Sequence, residues 1–144
     1  MGVTASVVAA DFGEAADIVG SDKPAGDWKG FEVRGFGQAR FAMLHALLSG
    51  QHFDEAQRDL GLLHAESEEG PWLLRFPAAS VRRLAGMDEA ALEAVGAELA
   101  ATADFEEEAW VAEDVQEHVR QMAELAGFAA AQGKAIFLWI VGEE

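Results

Sequence analysis

Near residue 140 the chain reads Gly133-Lys134-Ala135-Ile136-Phe137-Leu138-Trp139-Ile140-Val141, in which seven consecutive apolar residues follow the lysine. This run is too short to span a bilayer, which takes roughly 20 apolar residues. Its Ile, Phe, Trp and Val side chains favour a β strand over a helix. Because every position is apolar, we expect a strand that is covered on both faces and lies inside a sheet, at about residues 135–141.

The length and composition predict a single domain. The chain has 144 residues, of which 51% are hydrophobic and 25% are charged. A globular chain of this size buries about 68–70% of its unfolded surface, which suffices for one core without disulfides or metals. Cysteine is absent, and this excludes disulfides, zinc–thiolate sites and thiol nucleophiles. The first residues lack the basic region of a secretory signal, so a cytoplasmic protein is expected.

The net charge of −16 is unevenly distributed along the chain. Residues 1–83 carry 12 acidic and 8 basic residues, a net charge of −4; residues 84–144 carry 14 acidic residues and only Arg120 and Lys134, a net charge of −12. Such a surface repels phosphate groups, so neither nucleic acid nor an anionic membrane is an expected partner. A basic protein is a compatible partner. Solubility is the alternative explanation of the charge.

The spacing of apolar residues predicts an α+β domain over residues 1–144. Apolar or alternating runs predict strands near residues 3–9, 31–34, 60–64 and 72–76, in addition to the strand near 135–141. Helical spacing predicts helices over residues 11–19, 38–48, 53–59, 77–85, 89–101 and 115–129, with Asp11, Asp54 and Asp88 as N-caps. We therefore expect a mixed sheet that is packed by amphipathic helices.

The longest amphipathic segment comes directly before the apolar run. Val115, Val119, Met122 and Ala126 recur at helical spacing, with charged residues between them. Gly133 suits a left-handed C-cap that turns the chain from the helix into the strand. The helix and the strand are therefore expected to pack together.

His45 stands on the apolar side of the predicted helix 38–48. A histidine in such a setting is usually a hydrogen-bonded core residue. The alternative is a small-molecule pocket in which His45 acts together with Trp72 or Arg75.

The densest acidic cluster of the sequence precedes and enters the longest helix. One explanation is a solvated helix start, because carboxylates interact favourably with the amino end of a helix. The other explanation is a binding site for a basic partner protein. Paired carboxylates can also transfer protons or hold a hard cation, but no calcium-binding loop sequence is present. The six predicted partner-binding residues are Glu106, Glu107, Glu108, Glu113, Asp114 and Glu117.

The sequence predicts no catalytic residue, no metal site and no cofactor. His45, His52, His64 and His118 lack the spacing of metal ligands. No nucleophile elbow, phosphate-binding loop or dinucleotide fingerprint occurs. Asp114 lies four residues before His118, which fits an exposed helical contact or, alternatively, a two-residue metal or acid–base pair. An enzyme is therefore the less expected class.

Several short motifs are spaced across residues 37–141. They are Leu44-His45-Ala46-Leu47-Leu48-Ser49-Gly50, Arg75-Phe76 followed by Val81, Trp110 ahead of a long helix, and Gly133-Lys134-Ala135-Ile136-Phe137-Leu138-Trp139. Together these motifs resemble the YfbM-like family of uncharacterised bacterial proteins. The resemblance implies a compact α+β domain with the final strand inside a mixed sheet, and it implies no established activity or cofactor. The chain departs from the family pattern at Phe41-Ala42, where Trp-His is common, and at Glu69, where a Tyr is common.

Two functions from different classes fit these observations. The first is a small acidic intracellular binding protein, of the toxin-neutralising immunity type, that grips a basic partner through its acidic second half. The second is a small-molecule-binding domain or enzyme with a pocket near His45 and Arg75. A plain structural or housekeeping binding role is the third hypothesis.

Overall fold

The computed structural model describes residues 2–21, 23–66, 71–102 and 112–143. Its strands are β1 (Gly2–Ala10), β2 (Lys29–Arg34), β3 (Gly61–Ala65), β4 (Trp72–Arg75) and β5 (Ala135–Glu143). Its helices are α1 (Ala15–Val19), α2 (Pro24–Asp27), α3 (Gln38–Ser49), α4 (Phe53–Asp59), α5 (Ala78–Ala85), α6 (Glu89–Ala100) and α7 (Ala112–Gln132), and a 3-10 turn at Phe12–Glu14 precedes α1.

The five strands form one sheet in the order β2-β1-β5-β4-β3. β5 is the central strand, flanked by β1 and β4, as the apolar run predicted. All pairings between these described strands are antiparallel, so the expected mixed sheet is corrected to an antiparallel one. The physical reason lies in the connections. β1 and β5 pair along their full lengths although more than 120 residues separate them, and local sequence patterns do not encode the direction of such a pairing.

Side chains of β5 alternate between two apolar layers. Ile136, Leu138 and Ile140 enter the larger core, while Phe137 and Trp139 enter a smaller cluster on the opposite face. All five side chains are buried. The strand is therefore covered on both faces, which explains why its sequence shows no polar alternation.

The first face of the sheet lies under α3, α5, α6 and α7. Buried residues of these helices include Phe41, Leu84, Leu99 and Met122, and all belong to one continuous hydrophobic cluster. α5 and α7 pack directly against the strands, while α3 packs against α5 and α6 packs against α7. This layer holds most of the core.

The second face is covered more thinly. Ile18 of α1 is buried there, and Ala25 of α2 and Trp28 pack against the cluster from the side. The Trp28 indole N–H donates to the Glu14 carboxylate at 3.0 Å, and the Asp11 backbone N–H donates to the same side chain at 2.9 Å. Short elements and one tryptophan therefore close this side.

Capping residues set several of the element boundaries. The Asp88 carboxylate accepts a hydrogen bond from the Ala91 backbone N–H at 2.8 Å, which confirms the predicted N-cap of α6. Gly133 has φ of +67° and ends α7 before β5 begins. The predicted cap of α4 is wrong by two positions, because His52 rather than Asp54 is the N-cap and Asp54 lies in the first turn.

One outer strand, β3, is irregular. Leu62 pairs with Leu74 while His64 pairs with Leu73, so the strand contains one extra residue, Leu63, at a β-bulge. Leu62 and Leu63 are both exposed. The pairing of β3 with β4 agrees with the two predicted strands. Residues 67–70 of the loop between these strands lie outside the described residues.

Candidate functional site

Helices α6 and α7 cross in close, antiparallel contact. At Gly96 an added Cβ would lie 2.5–3.1 Å from atoms of Gln116, which only glycine avoids. The Gln116 side-chain amide donates to the Glu93 backbone carbonyl at 3.0 Å. The crossing fixes the two helices side by side and brings their acidic side chains to one surface.

Arg120 of α7 joins three carboxylates from both helices. Its Nε lies 2.8 Å from Glu89 Oε1, its Nη1 3.3 Å from Glu117 Oε1, and its Nη2 3.5 Å from Glu93 Oε1. These contacts, the hydrogen bond to Glu89 foremost, raise the pKa of the Arg120 guanidinium above its ordinary value. Three carboxylates and one guanidinium leave two negative charges at an exposed position. We call the exposed carboxylates of α6 and α7 the acidic surface.

The predicted partner-binding residues belong to this surface in part. Glu113, Asp114 and Glu117 are exposed on α7. Glu106, Glu107 and Glu108 lie outside the described residues, as does Trp110. Sequence reasoning missed Glu89 and Glu93, because their proximity to Arg120 depends on how α6 and α7 cross. Their only sequence signal was a spacing of four residues on one helix.

A hydrogen-bonded chain of three side chains runs through the helix layer. His45 Nδ1 lies 2.5 Å from Ser80 Oγ of α5, and His45 Nε2 lies 3.1 Å from Asp59 Oδ2 at the end of α4. His45 and Ser80 are only 2% and 1% exposed, whereas the Asp59 side chain is 46% exposed. The hydrogen bond from His45 is the largest cause that lowers the Asp59 pKa below its ordinary value, and Gln51 adds to it.

This chain has the residue types of a hydrolytic triad, but its geometry does not serve one. A nucleophilic serine must reach substrate, and Ser80 is buried within the helix layer. The arrangement instead satisfies both ring nitrogens of a buried histidine, which prevents the cost of unpaired buried polar atoms. His45 is thus a hydrogen-bonded core residue, as its apolar surroundings predicted.

The residues of the alternative pocket lie apart from one another. Arg75 of β4 pairs with Phe137 of the neighbouring strand β5, so its side chain lies on the second face of the sheet. There its guanidinium carbon lies 4.0 Å from the centroid of the Phe12 ring. Trp72 pairs with Ile140 and packs against the core of the first face. His45 belongs to the helix layer. The structure therefore does not bring His45 and Arg75 into one pocket.

Arg75 lines a different cavity, which we call the basic cavity. It has a volume of about 190 Å³ and lies where β4 ends and β5 begins, between α5 and the last turn of α7. Its charged lining residues are Arg75, Arg82 and Lys134. Sequence reasoning did not group these residues, because 52 positions separate Arg82 from Lys134 and only the sheet order brings them together.

His118 occupies a half-buried position on α7. Its Nδ1 lies 3.4 Å from Gln121 Oε1, and its ring packs edge-on against Phe36 at a centroid distance of 5.4 Å. Among the residues that the structure describes, no three His, Asp or Glu side chains converge as a metal-binding set. Within the same ranges, no helix combines the length and the apolar character needed to cross a membrane.

Comparison with known proteins identified no relative of this chain. The chain matches no family model, no curated protein and no solved structure at a significant level. The YfbM-like resemblance of the sequence therefore stays a prediction.

Proposed function

We propose that the protein is a small acidic binding protein whose acidic surface docks a basic partner protein, in the manner of a toxin-neutralising immunity protein. The observation that carries the proposal is the arrangement at Arg120, where three exposed carboxylates surround a single guanidinium. Glu113 and Asp114 extend the exposed acids along α7. The segment 84–144 as a whole has a net charge of −12.

The rigidity of the helix pair supports this function. Gly96 allows α6 and α7 to approach closely, and Arg120 ties Glu89 of one helix to Glu117 of the other. Carboxylates that are already positioned lose less side-chain entropy when a partner binds them. A lysine or arginine of the partner then meets a prearranged group of acids.

Electrostatics supports a basic protein as the partner. Complementary charge accelerates association to about 10⁸–10⁹ M⁻¹s⁻¹ at low salt and disfavours partners of the wrong sign. The attraction between exposed charges is screened over about 8 Å at physiological ionic strength. Partner binding is therefore expected to weaken steeply as salt is added.

Charge reversal on α7 tests the proposal. The variant Glu113→Lys/Asp114→Lys reverses two adjacent exposed acids in the first turn of α7. The matched control, Asp54→Lys/Glu55→Lys, reverses two adjacent exposed acids in the first turn of α4. Both variants change the net charge by +4 and disturb the amino end of a helix in the same way.

The readout is capture of basic proteins from a lysate of the source cell, identified by mass spectrometry and followed by affinity measurement with the purified partner. The native chain and the α4 variant are expected to capture the same basic partner, and the α7 variant to lose it. If the α7 variant binds that partner as tightly as the α4 variant does, the acidic surface is not the docking site.

A further inference from the structure

We propose that the basic cavity is a binding site for a small carboxylate with an apolar body. The cavity combines two kinds of wall. Arg75, Arg82 and Lys134 contribute positive charge, and Phe12, Ala78 and Ala130 contribute apolar surface. A few charged groups that fix orientation within an otherwise apolar lining are typical of small-molecule sites. This site is separate from the acidic surface and independent of its function.

The charge of the cavity contrasts with that of the chain. Three of the 10 Lys and Arg residues line it, although the protein has 26 acidic residues. Lys134 is paired, because its Nζ lies 3.3 Å from Asp11 Oδ1. Within the described ranges, neither Arg75 nor Arg82 has a carboxylate oxygen within 4.0 Å. Two guanidinium groups are therefore open to an anion from outside.

Arg75 is held in place for this role. Its guanidinium lies against the Phe12 ring, and Phe12 contacts Phe137 edge-on at a centroid distance of 6.3 Å. The Arg75 Nε is buried and has no hydrogen-bond partner among the described residues. The Nε is too enclosed for a ligand to reach, so the two Nη groups of Arg75 are the donors that a carboxylate in the cavity would meet.

The size of the cavity limits the ligand. A dry apolar cavity of about 150 Å³ in another protein holds one benzene molecule. The basic cavity, at about 190 Å³, therefore has room for a single ring or a short branched chain with one carboxylate. Benzoate is a suitable probe of this chemistry, with an apolar ring and one planar anion that matches a guanidinium.

Titration of the ¹⁵N-labelled full chain with sodium benzoate, followed by NMR, tests the proposal. At about 0.15 M salt the distant acids are screened. We expect saturable shifts at Ala78, Gly133, Lys134 and Ala135, with a dissociation constant on the order of 1 mM. Benzamide and benzamidine, which keep the ring but are neutral and cationic, are expected to bind at least tenfold more weakly.

Two adjacent arginines of α5 give a matched pair of variants. Arg82 and Arg83 are both exposed, but only Arg82 lines the cavity. We expect Arg82→Gln to weaken benzoate binding about threefold to tenfold and Arg83→Gln to change it less than twofold. Arg75→Met is expected to weaken binding by about tenfold or more. If Arg75→Met fails to fold, the difference in benzoate affinity between Arg82→Gln and Arg83→Gln tests the proposal.

Four results would overturn the proposal. They are no saturable shift up to about 50 mM benzoate, which is far above the expected constant; shifts that lie away from the cavity; equal binding of benzamide; and equal loss in the Arg82 and Arg83 variants. Binding of inorganic phosphate as tight as that of benzoate would overturn the assignment of an apolar ligand body.

Discussion

One face of the sheet lies under α3, α5, α6 and α7, which are 8 to 21 residues long, whereas the other lies under α1 and α2, of five and four residues. The first face contains a continuous core and a buried polar chain with both histidine nitrogens satisfied. The second face has a smaller hydrophobic cluster. Phe12 lies at the edge of this face, where it lines the basic cavity and is 59% exposed. The thick layer secures the fold, and the edge of the thin layer leaves room for a ligand.

Adjacent residues of β5 test this comparison with the largest expected effect. Leu138 points into the thick layer and Phe137 into the thin one, and both are fully buried. We expect Leu138→Ala to lower the free energy of unfolding by about 4 kcal/mol, because α5 and α7 pack on β5 and limit collapse of the space left by the side chain. Phe137→Ala is expected to lower it by only about 3 kcal/mol. Urea denaturation measures both. A larger loss for Phe137→Ala, the larger truncation, would contradict the comparison.

Two helical glycines sharpen the description of the thick layer. Gly96 faces Gln116 at a distance too short for a Cβ, whereas Gly127 has no such neighbour within 4 Å. We expect Gly96→Ala to destabilise the protein by about 1–3 kcal/mol through separation of α6 and α7. Gly127→Ala should stabilise it by about 0.5–1 kcal/mol, because alanine favours the helix. Thermal melting measures whether each variant lowers or raises the melting temperature. A change in the same direction for both variants would contradict the close crossing of α6 and α7.

The smallest expected effect is the pH dependence contributed by Asp59. Its pKa is lowered in the folded state, mainly by the hydrogen bond with His45, so the ionised carboxylate stabilises the fold above its unfolded pKa of about 3.9. This contribution is lost as the pH falls through the folded pKa. Asp59→Asn should therefore be less stable than the native chain near neutral pH, and the difference should vanish in strong acid. Urea denaturation at several pH values measures it; a constant difference would argue against the His45–Asp59 contact.

Much of the architecture was predictable because local patterns encode it. The unbroken apolar run at β5 predicted a strand covered on both faces, and the spacing of Val115 to Ala126 predicted α7. Strand direction was not predictable, since it depends on how distant segments meet. For the same reason the sequence predicted an internal His45 but not its contacts with Ser80, 35 positions away, and with Asp59.

The candidate sites were less predictable than the fold. The acidity of residues 84–144 was visible in composition, but the grouping of Glu89 and Glu93 around Arg120 requires the crossing of two helices. The basic cavity joins residues of β4, α5 and α7 with Phe12. No spacing rule relates these positions, because the sheet order β1-β5-β4 alone makes them neighbours.

The bulge in β3 has a consequence for how these molecules behave towards one another. An outer strand with exposed leucines offers unpaired backbone groups on which a further strand can add, and repeated addition leads to fibres. At Leu63 the regular alternation of donors and acceptors is interrupted. Bulges of this kind disfavour the pairing of a foreign strand with a sheet edge, so the irregularity at Leu63 works against cross-β growth beside the exposed Leu62 and Leu63.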